Sequence, residues 1–304
     1  MPMPALKNEI GDRTTAESAT SPRVRAQLQL EFLRDTGSRA SFLAQSYQEP
    51  PFKVVRSFPL PDGSAMAHLH NVSGGLLGGD HLTQRISVGN RATVQLTTTG
   101  ATRIYRPRPE AMPTVQRTVI TIGEEALLEY LPDATIPYAG SRYLQRTSIQ
   151  LGPGAGLFWW EILAPGREAR GELFAYEDLE VRTRISAGGA ILAAENLLLK
   201  PSTGNVKSLA RLGPYRYLAT FYICQTGLAP RAWQAAEDHL RELTGSLTRS
   251  GELLWGVSSL VAHGVVVRCL ALHGLEILPG LHAIWRRAKL HLYDREAIPP
   301  RKVN

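Results

Sequence analysis

Apolar and polar residues alternate over short stretches of the first two thirds of the chain. In "VRAQLQLEF" at 24–32, every second residue from Val24 to Phe32 is apolar and the residues between them are polar. A period of two places the apolar side chains on one face, as in a half-buried β-strand. Similar alternation recurs at 66–72, 82–88, 92–98, 118–122, 147–151, 157–163 and 181–185.

Turn-forming residues separate these predicted strands. They include "PDG" at 61–63, "VGN" at 88–90, "GPGAG" at 152–156 and "AGG" at 187–189. No helical pattern lies between the strands, which argues against βαβ units and leaves an antiparallel or a solenoidal β arrangement. No sequence repeat of fixed length is visible.

Two helices are predicted near the end of the chain. The first begins at Pro230, buries Trp233 and Leu240 on one face, and ends at Gly245 as a C-terminal glycine. The second opens with "LPG" at 278–280, and its polar face carries Arg286, Arg287 and Lys289. Its apolar face comprises Leu281, Ile284, Trp285, Ala288 and Leu292.

Between these helices, "GVSSL" at 256–260 and "GVVVRCLAL" at 264–272 are predicted strands, the second of them buried. The fold class is therefore mainly β: a β-helix-like or stacked antiparallel sheet scaffold with two or so α-helices toward the C-terminus. Residues 23–304 are predicted to form one domain. Residues 1–22, rich in Pro, Ser and Thr, are predicted to be a disordered tail.

Composition narrows the class of protein. The chain has 304 residues, two cysteines and a formal charge of +7. It contains no apolar run of the roughly 18 residues that a membrane span needs, and no apolar segment of a secretory signal near residue 1. These features predict a cytoplasmic protein without disulfides. The positive charge favours acidic partners, and nucleic-acid binding is an alternative function.

The stretch "VSGGLLGGDHL" at 72–82 raises the question of a phosphate-binding loop. A P-loop requires a lysine followed by Ser or Thr, and this stretch has no lysine. No segment matches GxGxxG, and the glycines lie between strands instead of before a helix. We therefore expect a tight corner in which Gly74, Gly75, Gly78 and Gly79 take positive φ or allow close backbone approach. Asp80 would cap that corner.

Candidate metal ligands lie on the strand before this corner. Met66, His68 and His70 share one face, and His81 follows the corner. Imidazole and thioether groups suit borderline or soft metals, but two histidines on an apolar strand are more often a packed pair. No HExxH motif and no Cys/His cage is present.

The sequence gives little support for a catalytic function. GxSxG is absent, and Cys224 and Cys269 lie in apolar surroundings where a thiol is inert. "APGREARGELF" at 164–174 predicts a salt-bridged turn or a polar patch that faces a partner. An enzyme of unrecognised type that uses Asp80 and Glu172 as acid and base stays open as an alternative.

Several motifs in a fixed order resemble one protein family. They are "VSGGLLGGD", "TTTGATRIYRP" at 97–107, "LEYLPDATIPYAGSRYLQRTSIQL" at 128–151, "PGREARGE" at 165–172 and "GVVVRCLA" at 264–271. Together they resemble the UreD (UreH) family of urease accessory proteins over residues 24–301. No single motif is specific to this family, but the set of motifs in this order is specific to it.

The resemblance implies a maturation factor that is not an enzyme. Proteins of this family resemble a β-helical scaffold and bind urease apoprotein and the accessory protein UreF. UreF in turn docks the GTPase UreG, which brings nickel for the urease active site. The resemblance implies no tightly bound cofactor, only transient nickel, and no partnership with nucleic acid or a membrane. A water-filled passage through UreF and UreD is the proposed route of the ion.

The resemblance also suggests site residues. Asp80, Asp133 and Glu172 are candidates for lining a nickel passage or a partner interface, with Met66, His68 and His70 as speculative ligands. Arg167, Arg170 and Arg268 could position the carboxylates, although a buried Arg268 pair is an equally good structural interpretation. Tyr105, Tyr138 and Trp285 are candidate interface aromatics for which core packing is the more common role. The remaining motif residues are Gly74, Gly75, Gly79, Pro132, Gly166 and Gly171.

Overall fold

Two facing β-sheets, with two helices against one of them, account for most of the structure. The computed structural model describes residues 24–108, 110–204, 206, 208 and 211–300. The predicted tail at 1–22 lies outside the described residues. Within these ranges, neither helix combines the length and the apolar character that crossing a membrane requires.

The first sheet has seven strands. From edge to edge they are β15 (Ala190–Leu199), β14 (Asp178–Ala187), β12 (Arg142–Leu151), β9 (Thr114–Ile122), β6 (His81–Val88), β1 (Arg25–Arg34) and β2 (Ser41–Gln48).

The second sheet follows the order β17 (Leu253–Ser259), β18 (Gly264–Ala271), β16 (Tyr217–Gln225), β13 (Gly156–Leu163), β10 (Leu127–Tyr130), β7 (Thr93–Thr98), β5 (Ala65–Asn71) and β3 (Phe52–Lys53). Three short strands join it off this path: β4 (Ser57–Pro59), β8 (Thr102–Ile104) and β11 (Thr135–Pro137).

The chain winds between the two sheets as a solenoid from β5 to β14. Strands β6, β9, β12 and β14 are parallel neighbours in the first sheet, and β5, β7, β10 and β13 are parallel neighbours in the second. Antiparallel pairs flank this core, at β1–β2, β14–β15 and around β16. The prediction of a β-helix-like scaffold is confirmed, with antiparallel pairing only at the margins of the solenoid.

Burial explains why strands of the two sheets have different sequence patterns. β12 alternates between exposed and buried residues because its outer face is open to solvent. In β13 ("GLFWWEIL") six of the eight residues are buried, because one face packs against the first sheet and the other against the helices. Continuous apolar runs are expected where a sheet is covered on both faces.

Helices α1 (Pro230–Leu247) and α2 (Ile277–Tyr293) cover the second sheet. Trp233, Leu240 and Leu281 join a core formed with β13, β16 and β18. Trp285 is fully buried in this core, so it is a packing residue and not an exposed interface aromatic in this chain.

Three details of the sequence-based prediction are wrong. α1 continues past Gly245 to Leu247, since helical hydrogen bonding tolerates a glycine near the end. Lys289 is not on the polar face of α2, because it is buried and pairs with Glu129. Arg268 does not form a buried pair: it points away from the apolar face of β18, and its side chain is 49% exposed.

The solenoid contains a repeat of variable length. At one edge of the sheets, three corners share the pattern Gly-x-x-Ala, at 89–92, 123–126 and 152–155. In each corner the alanine N–H donates to the glycine carbonyl, at 3.1, 3.2 and 3.2 Å. The intervals between corners differ because the connections at the opposite edge differ in length, so no fixed-length repeat exists.

Candidate functional site

Four long connections stack at the second edge of the solenoid, and they contain most of the family-like motifs. They comprise residues 72–80, 99–113, 131–141 and 164–177. Backbone hydrogen bonds join successive connections: Leu76 N–H donates to the Arg103 carbonyl at 2.7 Å, and Gly140 N–H donates to the Ala175 carbonyl at 2.8 Å. Motifs far apart in sequence therefore form one surface, which we call the motif edge.

The glycine-rich corner is built as the sequence predicts. Gly74 and Gly79 have φ of +77° and +87°, which favours glycine. A Cβ atom on Gly75 would lie 2.5 Å from the Tyr105 ring, and one on Gly78 would lie 2.2 Å from Pro107. These two glycines therefore allow the next connection to pack directly on the corner.

Asp80 holds this corner closed. It is buried, and its Oδ2 atom accepts a hydrogen bond from the Leu77 N–H at 2.9 Å. Its own N–H donates to the Leu77 carbonyl at 3.0 Å, and its carbonyl accepts from Val115 N–H on β9. The predicted capping role of Asp80 is confirmed.

An aromatic and ionic cluster lies further along the motif edge. The Tyr105 and Tyr138 rings meet edge to face with centroids 5.0 Å apart, and the Arg167 guanidinium lies 4.1 Å from the Tyr138 centroid. Arg167 Nε donates to Glu172 Oε2 at 2.8 Å, and Ala139 N–H donates to the same oxygen at 3.1 Å. The hydrogen bond from Arg167 is the main reason that the pKa of Glu172 is lowered.

The other motif residues shape the same edge. Gly166 has φ +139°, and a Cβ atom there would lie 2.5 Å from the Glu172 carbonyl oxygen. Gly171 ends a short 3₁₀ helix in the left-handed region, with Arg170 exposed beside it. The Pro132 carbonyl accepts a hydrogen bond from Trp160 Nε1 at 2.8 Å. In this chain Gly166, Gly171 and Pro132 therefore stabilise the conformation and packing of the connections at the motif edge.

Asp80 and Glu172 do not form an acid–base pair. Their corners are the first and the last of the four connections, with two others between them. Each carboxylate is engaged by groups of its own connection or of the adjacent one. This placement removes the basis for an enzyme that uses these two residues together.

A cavity of about 260 Å³ opens at the motif edge and extends between the two sheets. Gly74, Gly100 and Arg103 line its exposed end, together with Asp133, whose Oδ2 accepts from Thr98 Oγ1 at 3.1 Å. A volume of this size accommodates several water molecules, at about 30 Å³ each. Of the three carboxylates predicted to line a passage, Asp133 is on the wall, whereas Asp80 and Glu172 are not.

The interior of the cavity is polar, which is unusual between two packed sheets. One register row across five strands of the first sheet consists of Gln84, Thr118, Thr147, Thr183 and Glu195. The adjacent row adds Gln116 and Gln145. Buried hydroxyl and amide groups cost free energy unless they are hydrogen-bonded. Their persistence along the solenoid indicates a hydrated interior, and we call them the polar row.

Glu161 on β13 faces this row. Its carboxylate accepts a hydrogen bond from Gln145 Nε2. Burial, and secondarily the charge of Glu195, raises the pKa of Glu161 to about 7. Near neutral pH this carboxyl group therefore exists in both protonation states.

A smaller void of about 40 Å³ continues beyond Glu161 and shares Thr135, Gln145 and Ile162 with the main cavity. Glu195 lies on its wall, where it accepts hydrogen bonds from Tyr222 and from Arg268 Nη2, the latter at 3.2 Å. Arg268 also lines an external groove between β15 and β17. The carboxylate that Arg268 contacts is therefore Glu195, which the sequence did not single out, and not Asp80, Asp133 or Glu172 as predicted.

The Met66, His68 and His70 face offers a weak case for a metal centre. Met66 is buried, and the rings of His68 and His70 lie 6.3 Å apart between centroids. His70 lines the cavity, and burial lowers its pKa. In the described ranges no three His, Cys, Asp or Glu side chains converge in a metal-binding geometry. The residues fit a packed histidine pair better than a coordination site.

Sequence reasoning missed Glu161, Gln145 and Glu195 because alternation marks them as ordinary inward positions. A signal was present in the motif Arg-Thr-x-Ile, which occurs at 117–120, 146–149 and 182–185. Its threonines are the inward Thr118, Thr147 and Thr183. A polar residue repeated on the buried face of stacked strands is the sequence mark of a hydrated interior.

Comparison with known proteins agrees with this arrangement of motifs. The UreD urease accessory protein family matches residues 24–304. A urease accessory protein UreD from Herpetosiphon aurantiacus is 44% identical over 282 residues, covering 92% of this chain and 97% of the relative. A UreD from Cenarchaeum symbiosum is 33% identical over 235 residues, covering 76% and 81%. The chain therefore belongs to the UreD family of urease accessory proteins, which act in urease maturation.

Proposed function

We propose that this chain is a non-enzymatic, cytoplasmic scaffold that passes nickel through its interior during urease maturation. The partners in this proposal are homologues of UreF and of the GTPase UreG on the delivery side, and urease apoprotein on the receiving side. The single observation that carries it is the polar row facing Glu161 inside a cavity with an exposed end.

The donor chemistry of the cavity suits a dication in transit. Hydroxyl, amide and carboxyl oxygens hold hard or borderline cations through water and direct contacts. A compact Cys or His cage would bind nickel more tightly and slow its release. A carboxyl group with a pKa of about 7 loses a proton readily when a cation arrives and regains it when the cation leaves.

The two ends of the voids fit a passage. Asp133 stands near the exposed end of the main cavity, and Glu195 with Arg268 stands toward the groove between β15 and β17. Arg268 can hold or release the Glu195 carboxylate, since its side chain is half exposed. A partner seated on that groove would contact Arg268 and so affect the last carboxylate on the path.

The proposal is tested in a urease-producing host that lacks its own copy of this gene. We expect Glu161→Gln to lower urease activity and the nickel content of purified urease several-fold under limiting nickel. Co-purification with the UreF, UreG and urease homologues should stay unchanged, because the side chain is internal. The matched control is Glu124→Gln, an exposed carboxylate at the opposite edge. Normal nickel loading with Glu161→Gln would contradict the proposal.

A further inference from the structure

The outer face of the first sheet carries a row of arginines. Arg117 on β9, Arg146 on β12 and Arg182 on β14 are direct register partners, and all three are exposed. Neighbouring strands lie about 4.8 Å apart, so three guanidinium groups project side by side. We call these three residues the arginine row.

The surroundings of the arginine row are also basic. Arg85 and Arg184 occupy the adjacent outward position on β6 and β14, and both are exposed. Arg182 is paired with Glu180 on its own strand. Among the described residues, no carboxylate forms an ion pair with Arg117 or Arg146. The face therefore carries a net positive charge that the part of the chain described by the structure does not neutralise.

The fold itself gains nothing from this arrangement. Like charges on directly opposite strand positions destabilise a sheet. An uncharged threonine or serine could occupy the same solvent-facing positions without this repulsion. The inward neighbours Thr118, Thr147 and Thr183 already hold the register through the buried face. An external partner of opposite charge offers a physical reason for the row.

We propose that the arginine row docks a protein partner that presents a line of carboxylates. This inference rests on the proposed function, since the partner belongs to the maturation assembly. Guanidinium groups form paired hydrogen bonds with carboxylates. Acidic side chains three and four residues apart on a helix are about 5–6 Å apart, close to the spacing of the row. The geometry thus matches an acidic helix laid across the strands.

Nucleic acid fits this face less well. This face is formed by the strands of a seven-stranded sheet, whereas reading a duplex groove requires a protruding helix or ribbon. Single-strand binding uses aromatic side chains on which bases stack, and no aromatic residue occupies the register row that contains Arg117, Arg146 and Arg182. The cavity opens at the motif edge and not on this face. A partner bound here would leave the proposed passage open.

The test compares two variants with the same change in net charge. The row variant combines Arg117→Gln, Arg146→Gln and Arg182→Gln. The control combines Arg231→Gln, Arg286→Gln and Arg287→Gln, which are exposed residues of α1 and α2. The probes are urease apoprotein and the complex of the UreF and UreG homologues, each titrated against the full chain at several salt concentrations. Thermal unfolding of both variants checks that they are folded.

We expect the row variant to lose at least tenfold in affinity for one of the two probes, with a weaker salt dependence, while the control binds both as the wild type does. If both probes bind the row variant as tightly as the wild type, this inference is wrong and the proposed function stands. If neither probe binds the wild type, the proposed function fails. Binding of duplex or single-stranded DNA that the row variant alone loses would also overturn the protein-partner inference.

Discussion

The ammonium nitrogen of Lys289 lies 3.1 Å from both carboxylate oxygens of Glu129, and both side chains are buried. Trp285 Nε1 also donates to this carboxylate, at 2.9 Å. Burial raises the pKa of Glu129, and the charge of Lys289 acts in the opposite direction. The pair joins α2 to β10, so the position of the last helix depends on a charge interaction inside the core.

Breaking this pair on one side should be costly. Lys289→Met leaves a buried carboxylate without its cation, and we expect a loss of about 3–5 kcal/mol in the free energy of unfolding. The double variant Glu129→Gln/Lys289→Met should recover much of that loss, because among the described residues the only carboxylate then left without Lys289 is the partly exposed Asp62, whose Oδ2 lies 3.9 Å from the Lys289 ammonium. Denaturant titration of the single and double variants measures both values. Equal destabilisation of the two would show that packing, not charge, dominates at this position.

Glu161 should make the stability of the protein depend on pH. Its pKa is about 7 in the folded chain against 4.5 for an ordinary glutamate, so the folded state holds more protons between these values. The contribution of Glu161 to the free energy of unfolding therefore falls as the pH rises from about 4.5 to about 7, and it is constant above that range. If the whole shift in the pKa of Glu161 acted on stability, the free energy of unfolding would change by roughly 3 kcal/mol over this pH range. Solvent in the cavity should make the measured change smaller.

Glu161→Gln removes this dependence while keeping the hydrogen-bonding shape. We expect the variant to be more stable than the wild type at pH 8, by about 1–2 kcal/mol, and the difference to shrink toward pH 5. Urea titrations at pH 5, 6, 7 and 8 give the comparison. A constant difference across this range would mean that the carboxyl group does not titrate within it.

Gly75→Ala should destabilise the motif edge. The added methyl group would lie 2.5 Å from the Tyr105 ring and 2.6 Å from the Arg103 carbonyl oxygen. Overpacking of this kind costs about 1–3 kcal/mol. The control is Gly100→Ala on the next connection, where a Cβ atom meets nothing within 4 Å. Denaturation midpoints of the two variants separate steric contact from the general effect of replacing glycine.

The two thiols should be unreactive in the folded protein. Cys224 and Cys269 are buried, and burial raises the pKa of each thiol to about 12. Because the thiolate is the reactive form, a thiol-specific disulfide reagent at pH 8 should modify neither residue until the chain unfolds. Mass spectrometry of the labelled protein before and after denaturation shows the number of groups modified. Rapid labelling of the native chain would indicate that β16 or β18 opens.

The sequence alone predicts the positions of those strands that have one face in solvent and one face in the core. β1 and β6 alternate as predicted because their outer faces are open. The alternation pattern gives no bounds for β16, because its six consecutive buried residues, from Ala219 to Cys224, carry no period of two. It gives none for β2 for the opposite reason: Ser41 is the one buried residue of that strand, so apolar and polar residues alternate only weakly there.

The site was predicted only in part, for a physical reason. The glycine corner and Asp80 form local contacts, which short motifs encode well. Glu161, Gln145 and Glu195 lie on three strands, β13, β12 and β15, and approach each other because the two sheets face one another and their strands are in register. Their proximity depends on solenoid register, which alternation alone does not specify.

The central claim is that nickel crosses the polar interior beside Glu161. The most direct measurement is the nickel content of urease activated by a purified complex that contains Thr118→Met/Thr147→Met, which replaces two polar wall residues with larger apolar ones. The control is Thr121→Met/Gln150→Met, on the outer face of the same strands. We predict several-fold less nickel per urease with the first variant and wild-type loading with the second. Equal loading by both, with the complexes intact, would contradict the account.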